Sequence, residues 1–165
     1  MKEKNKKHKI IFTAQDQGGF DALLPVIQKI QSDSRFEVFT ILESPALEFA
    51  RRKKIKHVTA KSLKFPQIKE YIEKIKPSLI ITGTSKEYSL DKKVLTIGKQ
   101  GDIPTVSIID YWGNTKKRFG KKLEYLPDYI LVMDEKMKGD LIQEGIAENK
   151  IFITGNPRFD ILKNL

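Results

Sequence analysis

Gly18 and Gly19 stand side by side in residues 14–21, AQDQGGFD, directly before a helical pattern. Adjacent glycines let the backbone approach a ligand closely or adopt a positive φ angle, and the start of the following helix presents free N–H groups. The segment is neither a GxGxxG fingerprint nor a Walker loop, so nicotinamide-cofactor and P-loop chemistry are not supported. The segment is therefore a candidate binding turn, and a tight strand-to-helix turn without a ligand is the structural alternative.

A second candidate turn is residues 82–85, TGTS, which ends an apolar run and precedes a helix. Hydroxyl groups such as those of Thr84 and Ser85 cap helices or hold phosphate and sugar oxygens equally well. Helix capping alone would explain either hydroxyl. A functional interpretation is favoured because this turn should lie on the same sheet edge as the glycine turn.

The third candidate segment, residues 109–114 (IDYWGN), contains the only tryptophan of the chain. Trp112 is accompanied by a carboxylate, an amide and a guanidinium, from Asp110, Asn114 and Arg118. An aromatic face beside hydrogen-bonding groups suits a sugar or a base, and Asp110 could act as a general base or orient a hydroxyl. The alternative is a packed aromatic residue that anchors a long loop.

Several other chemistries lack the residues they need. The chain has no cysteine, which excludes disulfides, thiolate nucleophiles and cysteine-based zinc sites. His8 and His57 are its only histidines, and neither is placed with a nucleophile or a second metal ligand. A phosphoacceptor receiver domain would need an acidic pair after the first strand, which Asp16 alone does not supply.

The elements that must position these candidates alternate between strands and helices. Apolar and β-branched runs predict strands at residues 9–13, 36–42, 57–59, 79–82, 105–109, 129–133 and 151–154. Apolar stripes with helical spacing lie at residues 20–30, 68–75 and 137–142. Asp134 is a predicted N-cap and Gly145 a predicted helix C-terminus. Residues 110–127 are the least regular stretch and a candidate functional loop.

Alternation of strands and helices predicts an α/β fold. We expect a Rossmann-like doubly wound parallel sheet of about six or seven strands, in three α/β/α layers and one domain. Loops at the carboxyl ends of parallel strands share one edge of the sheet, so the three candidate segments should meet there.

The charge of the chain indicates an anionic partner. Its 165 residues are 39% hydrophobic and 32% charged, which is typical of one soluble domain, and no apolar run is long enough for a membrane span. The net charge is +10, with cations grouped at residues 2–9, 51–56 and 116–122. Such groups attract phosphate-rich surfaces, although any of them could be simply solvated. Aromatic residues do not interleave with them, which favours a membrane surface or anionic ligand over nucleic acid.

Five segments together resemble a known family. They are QDQGGFDALLPVIQKI, ITGTS, GDIPTVSIIDYW with KKRF, LPDYILVMDEKMKGDLIQEGI, and KIFITGNPRFD. They resemble the N-terminal domain of GT-B glycosyltransferases and of their relatives, the UDP-N-acetylglucosamine 2-epimerases and CDP-glycerol glycerophosphotransferases. The resemblance covers nearly the whole chain from Lys9 onward. The basic residues 1–8 predict a flexible tail. The resemblance implies an acceptor-side Rossmann-like domain at residues 9–165, without the second, donor-binding domain.

The resemblance also implies roles for single residues. In this family an acceptor hydroxyl displaces a nucleotide diphosphate at the anomeric carbon, and a general base on the N-terminal domain is usual. The implied catalytic residues are Asp16, Asp21 and Asp110, and the implied substrate-binding residues are Gly18, Gly19, Thr84, Ser85, Trp112, Asn114, Arg118, Asn156 and Arg158. Many members carry a histidine near the glycine turn, and this chain has none there.

We therefore expect the acceptor-side half of a glycosyltransferase of cell-envelope or polysaccharide synthesis, inactive as an isolated chain. The expected partners are a donor-binding domain or chain, a nucleotide sugar, an acceptor sugar or lipid, and an anionic membrane surface. No cofactor or metal is expected, and the expected location is the cytoplasm, at the inner face of the membrane. One alternative is a non-catalytic module that binds a phosphorylated sugar or nucleotide. Another is a nucleic-acid-binding protein driven by charge alone.

Overall fold

A single seven-stranded parallel sheet forms the centre of the computed structural model, which describes residues 7–60, 63–85 and 88–164. Its strands are β1 (His8–Ala14), β2 (Phe36–Leu42), β3 (Val58–Thr59), β4 (Leu79–Thr82), β5 (Thr105–Ile108), β6 (Tyr129–Val132) and β7 (Ile151–Ile153). Each predicted strand is present, with ends within one residue of those expected. The predicted Rossmann-like α/β fold is confirmed.

Within the described residues, six α-helices connect the strands. They are α1 (Gln17–Gln31), α2 (Ala46–Arg52), α3 (Phe65–Ile75), α4 (Leu90–Gln100), α5 (Thr115–Phe119) and α6 (Glu135–Gln143), and 3-10 turns cover Glu148–Lys150 and Pro157–Asn164. The three predicted stripes correspond to α1, α3 and α6, although Ile142 of the last stripe is exposed. The short α2 was not predicted. The stretch 110–127, expected to be irregular, contains α5 because Thr115, Arg118 and Phe119 are all buried there.

The sheet is covered on both faces, because successive residues of a strand point to opposite sides. On one face Phe12 packs with Phe20 and Leu23 of α1. On the other face Ile11 packs with Ile72 of α3. A third cluster packs β6 and the start of β7 against α6 and α5; its members are Ile109, Phe119, Ile130, Val132, Met137, Leu141, Ile146 and Ile151.

The strand order is β3-β2-β1-β4-β5-β6-β7, so the direction of winding reverses between β1 and β4. The connections on either side of this point leave on opposite faces, which opens a crevice at the carboxyl ends of β1 and β4. The glycine turn and the TGTS turn lie at that crevice. The fold therefore places two of the three candidate segments at the position where open α/β sheets bind ligands.

Local signals in the sequence agree with the observed ends of elements. The Asp134 carboxylate accepts a hydrogen bond from the Met137 backbone N–H at 2.8 Å at the start of α6. Gly145 follows that helix with a φ of 94°. His8 already belongs to β1, so the first strand begins one residue earlier than predicted, and residues 1–6 of the predicted tail lie outside the described residues. Among the described residues, no helix combines the length and apolarity that a membrane span needs.

Candidate functional site

The β1–α1 and β4–α4 turns touch through two glycines. A Cβ added to Gly83 would lie 3.1 Å from the Gly19 Cα, and one added to Gly19 would lie 3.2 Å from the Gly83 Cα. Both distances are shorter than ordinary van der Waals contacts. The atoms that a Cβ would meet belong to the backbone, which cannot easily move aside. The two glycines therefore allow the loops to close on each other at the crevice.

Asp110, which follows β5, places its carboxylate against the first turn of α1. A Cβ on Gly18 would lie 2.1 Å from Asp110 Oδ2, so only glycine fits at position 18 while Asp110 stays in place. Negative charge near the N-terminus of a helix is favourable. The predicted meeting of the loops that carry Gly18, Thr84 and Asp110 is confirmed by these contacts and those of Arg118.

Arg118 of α5 ties the loops together from within. Its side chain is 4% exposed, and its Nη1 donates to Asp110 Oδ1 at 3.1 Å and to the Thr84 carbonyl at 2.8 Å. Nη1 also donates to the Thr84 hydroxyl, while Nε and Nη2 donate to the carbonyls of Gly113 and Tyr111. The guanidinium therefore uses its N–H groups in hydrogen bonds to protein atoms on two loops. Its predicted contact with substrate stays a prediction.

Three more of the predicted site residues are buried and bonded within the protein. Thr84 and Ser85 are 5% and 3% exposed, and Asn156 is 9% exposed. Asn156 Nδ2 donates to the Asp110 carbonyl at 3.3 Å, and its Oδ1 accepts from the Arg158 N–H at 3.0 Å. The loop after β7 is thereby joined to the Asp110 loop. These three side chains bond within the protein, and their predicted contact with substrate stays a prediction.

Asp91 is a buried carboxylate that sequence reasoning missed. It accepts hydrogen bonds from Thr13 Oγ1 at 3.1 Å and from Ser85 Oγ at 2.7 Å. Burial raises the pKa of Asp91 to about 7, against the lowering effect of these hydrogen bonds, and the charge of Asp16 raises it further. The sequence contains no signal for this, because an aspartate in the first turn of a helix is ordinarily an exposed favourable charge.

The groups that remain accessible form the outer rim of the crevice. Asp110 is 20% exposed at its side chain, and Trp112 is 40% exposed. Trp112 Nε1 donates to Asp134 Oδ2 at 3.1 Å, which orients the indole ring. The other predicted residues on the surface or half-buried at this edge are Asp16, Asp21, Gly18, Asn114 and Arg158. A carboxylate beside an aromatic face can hold and deprotonate a sugar hydroxyl.

Outside the crevice, the structure contains a cavity, while the described residues provide no cluster of metal-binding side chains. A cavity of about 550 Å³ lies at the opposite sheet edge, where β5 and β6 begin, and includes Thr105, Asp128 and Tyr129. The Asp128 carboxylate there accepts from the Thr105 N–H and hydroxyl, both at 2.8 Å, so it joins two strands. Within the described parts of the chain, no three potential metal-binding side chains are grouped.

The fold and the crevice together define a Rossmann-like α/β domain with a GT-B-like fold. No family description matches the sequence, and no curated protein is similar to it in sequence. Solved structures do match. The UDP-GlcNAc 2-epimerase from Neisseria meningitidis bound to UDP-GlcNAc superposes with a TM-score of 0.75 at 16% identity, over 94% of this chain and 49% of the epimerase.

Two further solved structures share the same fold. MurG from Acinetobacter baumannii matches with a TM-score of 0.65 at 10% identity, over 90% of this chain and 45% of MurG. The lipopolysaccharide outer core galactosyltransferase WaaB matches with a TM-score of 0.57 at 15% identity, over 87% and 44% of the two chains. The chain thus spans about half the length of the structures it matches. The resemblance to the CDP-glycerol glycerophosphotransferases stays a prediction.

Proposed function

We propose that this chain is the acceptor-side half of a GT-B-type glycosyltransferase, acting in cell-envelope or polysaccharide synthesis. The observation that carries the proposal is the partly exposed Asp110 carboxylate, held against the glycine turn at the point where strand order reverses. Structures named for UDP-GlcNAc epimerisation and galactosyl transfer share the fold. The activity requires a nucleotide-sugar donor and a donor-binding domain or chain, and we place it at the cytoplasmic face of the membrane.

In this proposal Asp110 is the general base. Its carboxylate takes the proton of an acceptor hydroxyl, whose oxygen attacks the anomeric carbon of the donor sugar while the bond to the nucleotide diphosphate breaks. Arg118 fixes one carboxylate oxygen and Gly18 leaves room for the other, so the base is held in one orientation. Trp112 offers its exposed ring face to the acceptor sugar. Asp16 and Asp21 are the alternative bases on the other side of the crevice.

A partner domain is supported by an exposed pair of aromatic residues. Tyr129 of β6 and Phe152 of β7 are 47% and 48% exposed, and their rings meet at a centroid distance of 5.8 Å. Parallel sheets are ordinarily covered on both faces, so half-exposed aromatic rings on this sheet favour a covering partner. We propose that the donor-binding partner contacts this pair.

The test uses the chain together with a donor-side Rossmann domain encoded beside it or fused to it. We expect the complex to release nucleotide diphosphate from a nucleotide sugar when acceptor is present. Asp110→Asn should lower kcat by about a hundredfold or more while leaving donor binding intact, since the amide cannot accept the proton but still accepts a hydrogen bond from Arg118.

The matched control is Asp102→Asn, an exposed residue at the opposite edge of the sheet. Its activity should equal that of the unmodified complex. Equal activity in the Asp110→Asn complex would exclude Asp110 as the base, and Asp16→Asn and Asp21→Asn would then be compared.

A second candidate function is a non-catalytic module that binds a phosphorylated sugar or nucleotide. It is supported by the net charge of +10, which attracts phosphate groups, and it needs no donor pocket. Calorimetric titration of the isolated chain with UDP-GlcNAc distinguishes the two. Binding by the chain alone, with no activity in any complex, supports the module.

A further inference from the structure

Exposed aromatic residues and lysines lie together around α5, at the rim of the crevice. We call this the α5 surface and define it by Tyr88, Tyr111, Trp112, Lys116, Lys117 and Lys121. Tyr88 and Tyr111 are each 61% exposed and Trp112 is 40% exposed, and all three lysines are exposed.

Contacts beneath the surface show that its parts are contiguous. Arg118 donates to the carbonyls of Tyr111 and Gly113, which places the aromatic loop directly beside α5. On the other side, Lys92 Nζ donates to the Lys117 carbonyl at 2.5 Å and lies 5.7 Å from the Tyr125 ring centroid. The Tyr125 ring in turn lies 6.2 Å from that of Tyr88. Aromatic rings therefore flank the lysines of α5 on both sides.

The exposure of these rings does not come from a loosely attached loop. Buried Arg118 holds the backbone on which Tyr111 stands, and Asp134 holds the Trp112 indole N–H. Tyrosine and tryptophan, with an apolar body and a polar tip, are the side chains that settle at the boundary between lipid and water. A firmly supported exposed pair of this kind fits an interfacial environment better than bulk water.

The charge of the same surface complements an anionic bilayer. Lys116 and Lys117 project from α5, and neither takes part in an ion pair among the described residues. Lysines next to interfacial aromatics attract anionic headgroups, and each such lysine adds to binding.

We propose that the α5 surface docks the protein on an anionic lipid bilayer. The bilayer contact itself depends only on the chemistry of this surface. Its benefit rests on the proposed function, because docking at the rim of the crevice brings a membrane-borne acceptor close to Asp110.

The test is cosedimentation of the full chain with vesicles of phosphatidylcholine containing about one-third phosphatidylglycerol, compared with phosphatidylcholine alone. We expect binding to the anionic vesicles only. Lys116→Gln with Lys117→Gln should weaken it about tenfold or more, since two headgroup contacts are lost. Tyr111→Ser should weaken it several-fold at unchanged charge.

The matched control is Lys53→Gln with Lys56→Gln, which removes two exposed lysines from the basic group beyond α2. Its binding should change less than twofold. Equal losses in the two double variants would overturn the proposal, because attraction would then follow net charge alone. Displacement of the protein from vesicles by a short single-stranded oligonucleotide, at matched phosphate concentration, would overturn it as well.

Failure of this proposal is distinguishable from failure of the proposed function. Vesicle binding is measured without sugars, and Asp110→Asn should bind vesicles as the unmodified chain does. Thermal unfolding of each variant shows whether it is folded; if Lys116→Gln/Lys117→Gln unfolds early, the single variant Lys117→Gln and Tyr111→Ser serve in its place.

Discussion

Arg118 is the residue on which the crevice depends most. It lies almost fully buried and joins Asp110, Thr84 and the carbonyls of residues 111 and 113 through one guanidinium. No other side chain could replace it easily, because lysine has no planar group with five donors. The loops at this edge are therefore held by the hydrogen bonds of a single side chain, and the loss of Arg118 should destabilise all of them together.

Replacing Arg118 by methionine should lower the free energy of unfolding by about 3–5 kcal/mol, because Asp110 loses its charge partner and three carbonyls lose their donor. Urea unfolding followed by circular dichroism measures the change. Lys116→Met, a neighbouring cation on the exposed side of the same helix, should change stability by about 0.5 kcal/mol or less. Similar small effects of both substitutions would contradict the tethering role.

Asp91 makes stability depend on pH. Its pKa is about 7 in the folded protein against 3.8 for an ordinary aspartate, so the folded state binds the proton more tightly. The associated stability is fully present below about pH 4 and is lost as the pH rises through 7, by at most roughly 4 kcal/mol. Asp91→Asn should abolish this part of the fall between about pH 4 and 7 and be more stable than the unmodified chain at pH 8. If the free energy of unfolding of the variant fell with pH as it does in the unmodified chain, Asp91 would not be the cause of the fall.

At the scale of elements, the close approach of α1 to the β4–α4 turn is the feature that shapes the crevice. Gly19 and Gly83 meet backbone to backbone, and α1 begins where Gly18 leaves space for a carboxylate. Neither glycine adopts a positive φ angle, so backbone conformation does not require glycine at these positions. Glycine is required at both positions because a side chain on either residue would collide with the backbone of the other turn.

Gly83→Ala should therefore destabilise the protein by about 1–3 kcal/mol, since the added methyl group would force two loops apart. The control is Gly139→Ala on α6, where an added Cβ meets nothing within 4 Å. Alanine there should stabilise the helix by up to about 1 kcal/mol. Thermal unfolding of both variants measures the difference, and a neutral Gly83→Ala would show that the turns do not need their close contact.

At the scale of the molecule, the chain corresponds to about half of each protein with which it shares its fold. Asp110, the glycine turn and Trp112 lie along one edge of its sheet. The exposed pair of Tyr129 and Phe152 lies elsewhere, on strands at the far side of the sheet. A partner that contacts both regions would have to extend from the carboxyl edge of the sheet across β6 and β7 toward the opposite edge, where Tyr129 begins β6.

Phe152→Ser should leave the isolated chain folded, because the ring is 48% exposed, and should weaken association with the donor-side partner at least tenfold. Size-exclusion chromatography and calorimetry of the complex measure this. Phe159→Ser, an equally exposed phenylalanine at 53%, is the matched control and should bind nearly as the unmodified chain does. Equal losses would indicate a nonspecific apolar contact.

Most of the fold was predictable because its signals are local. Apolar runs such as that of β1 and the stripe of α1 specify elements through spacing alone, and alternation of the two specifies a parallel sheet. The short helices α2 and α5 escaped prediction because five to seven residues hold too few turns to show a period. The α5 helix forms because tertiary contacts bury Arg118 and Phe119.

The sequence by itself determined the seven strands, the order of elements and the edge at which the candidate segments meet. Only the tertiary structure decided which polar side chains face inward: Arg118 bonds to Thr84 across 34 positions, and Asp91 bonds to Thr13 across 78. Periodicity specifies elements because it acts between near neighbours in the chain. A buried charge is stabilised by hydrogen bonds from residues that are distant in the sequence, and no short sequence pattern predicts those contacts.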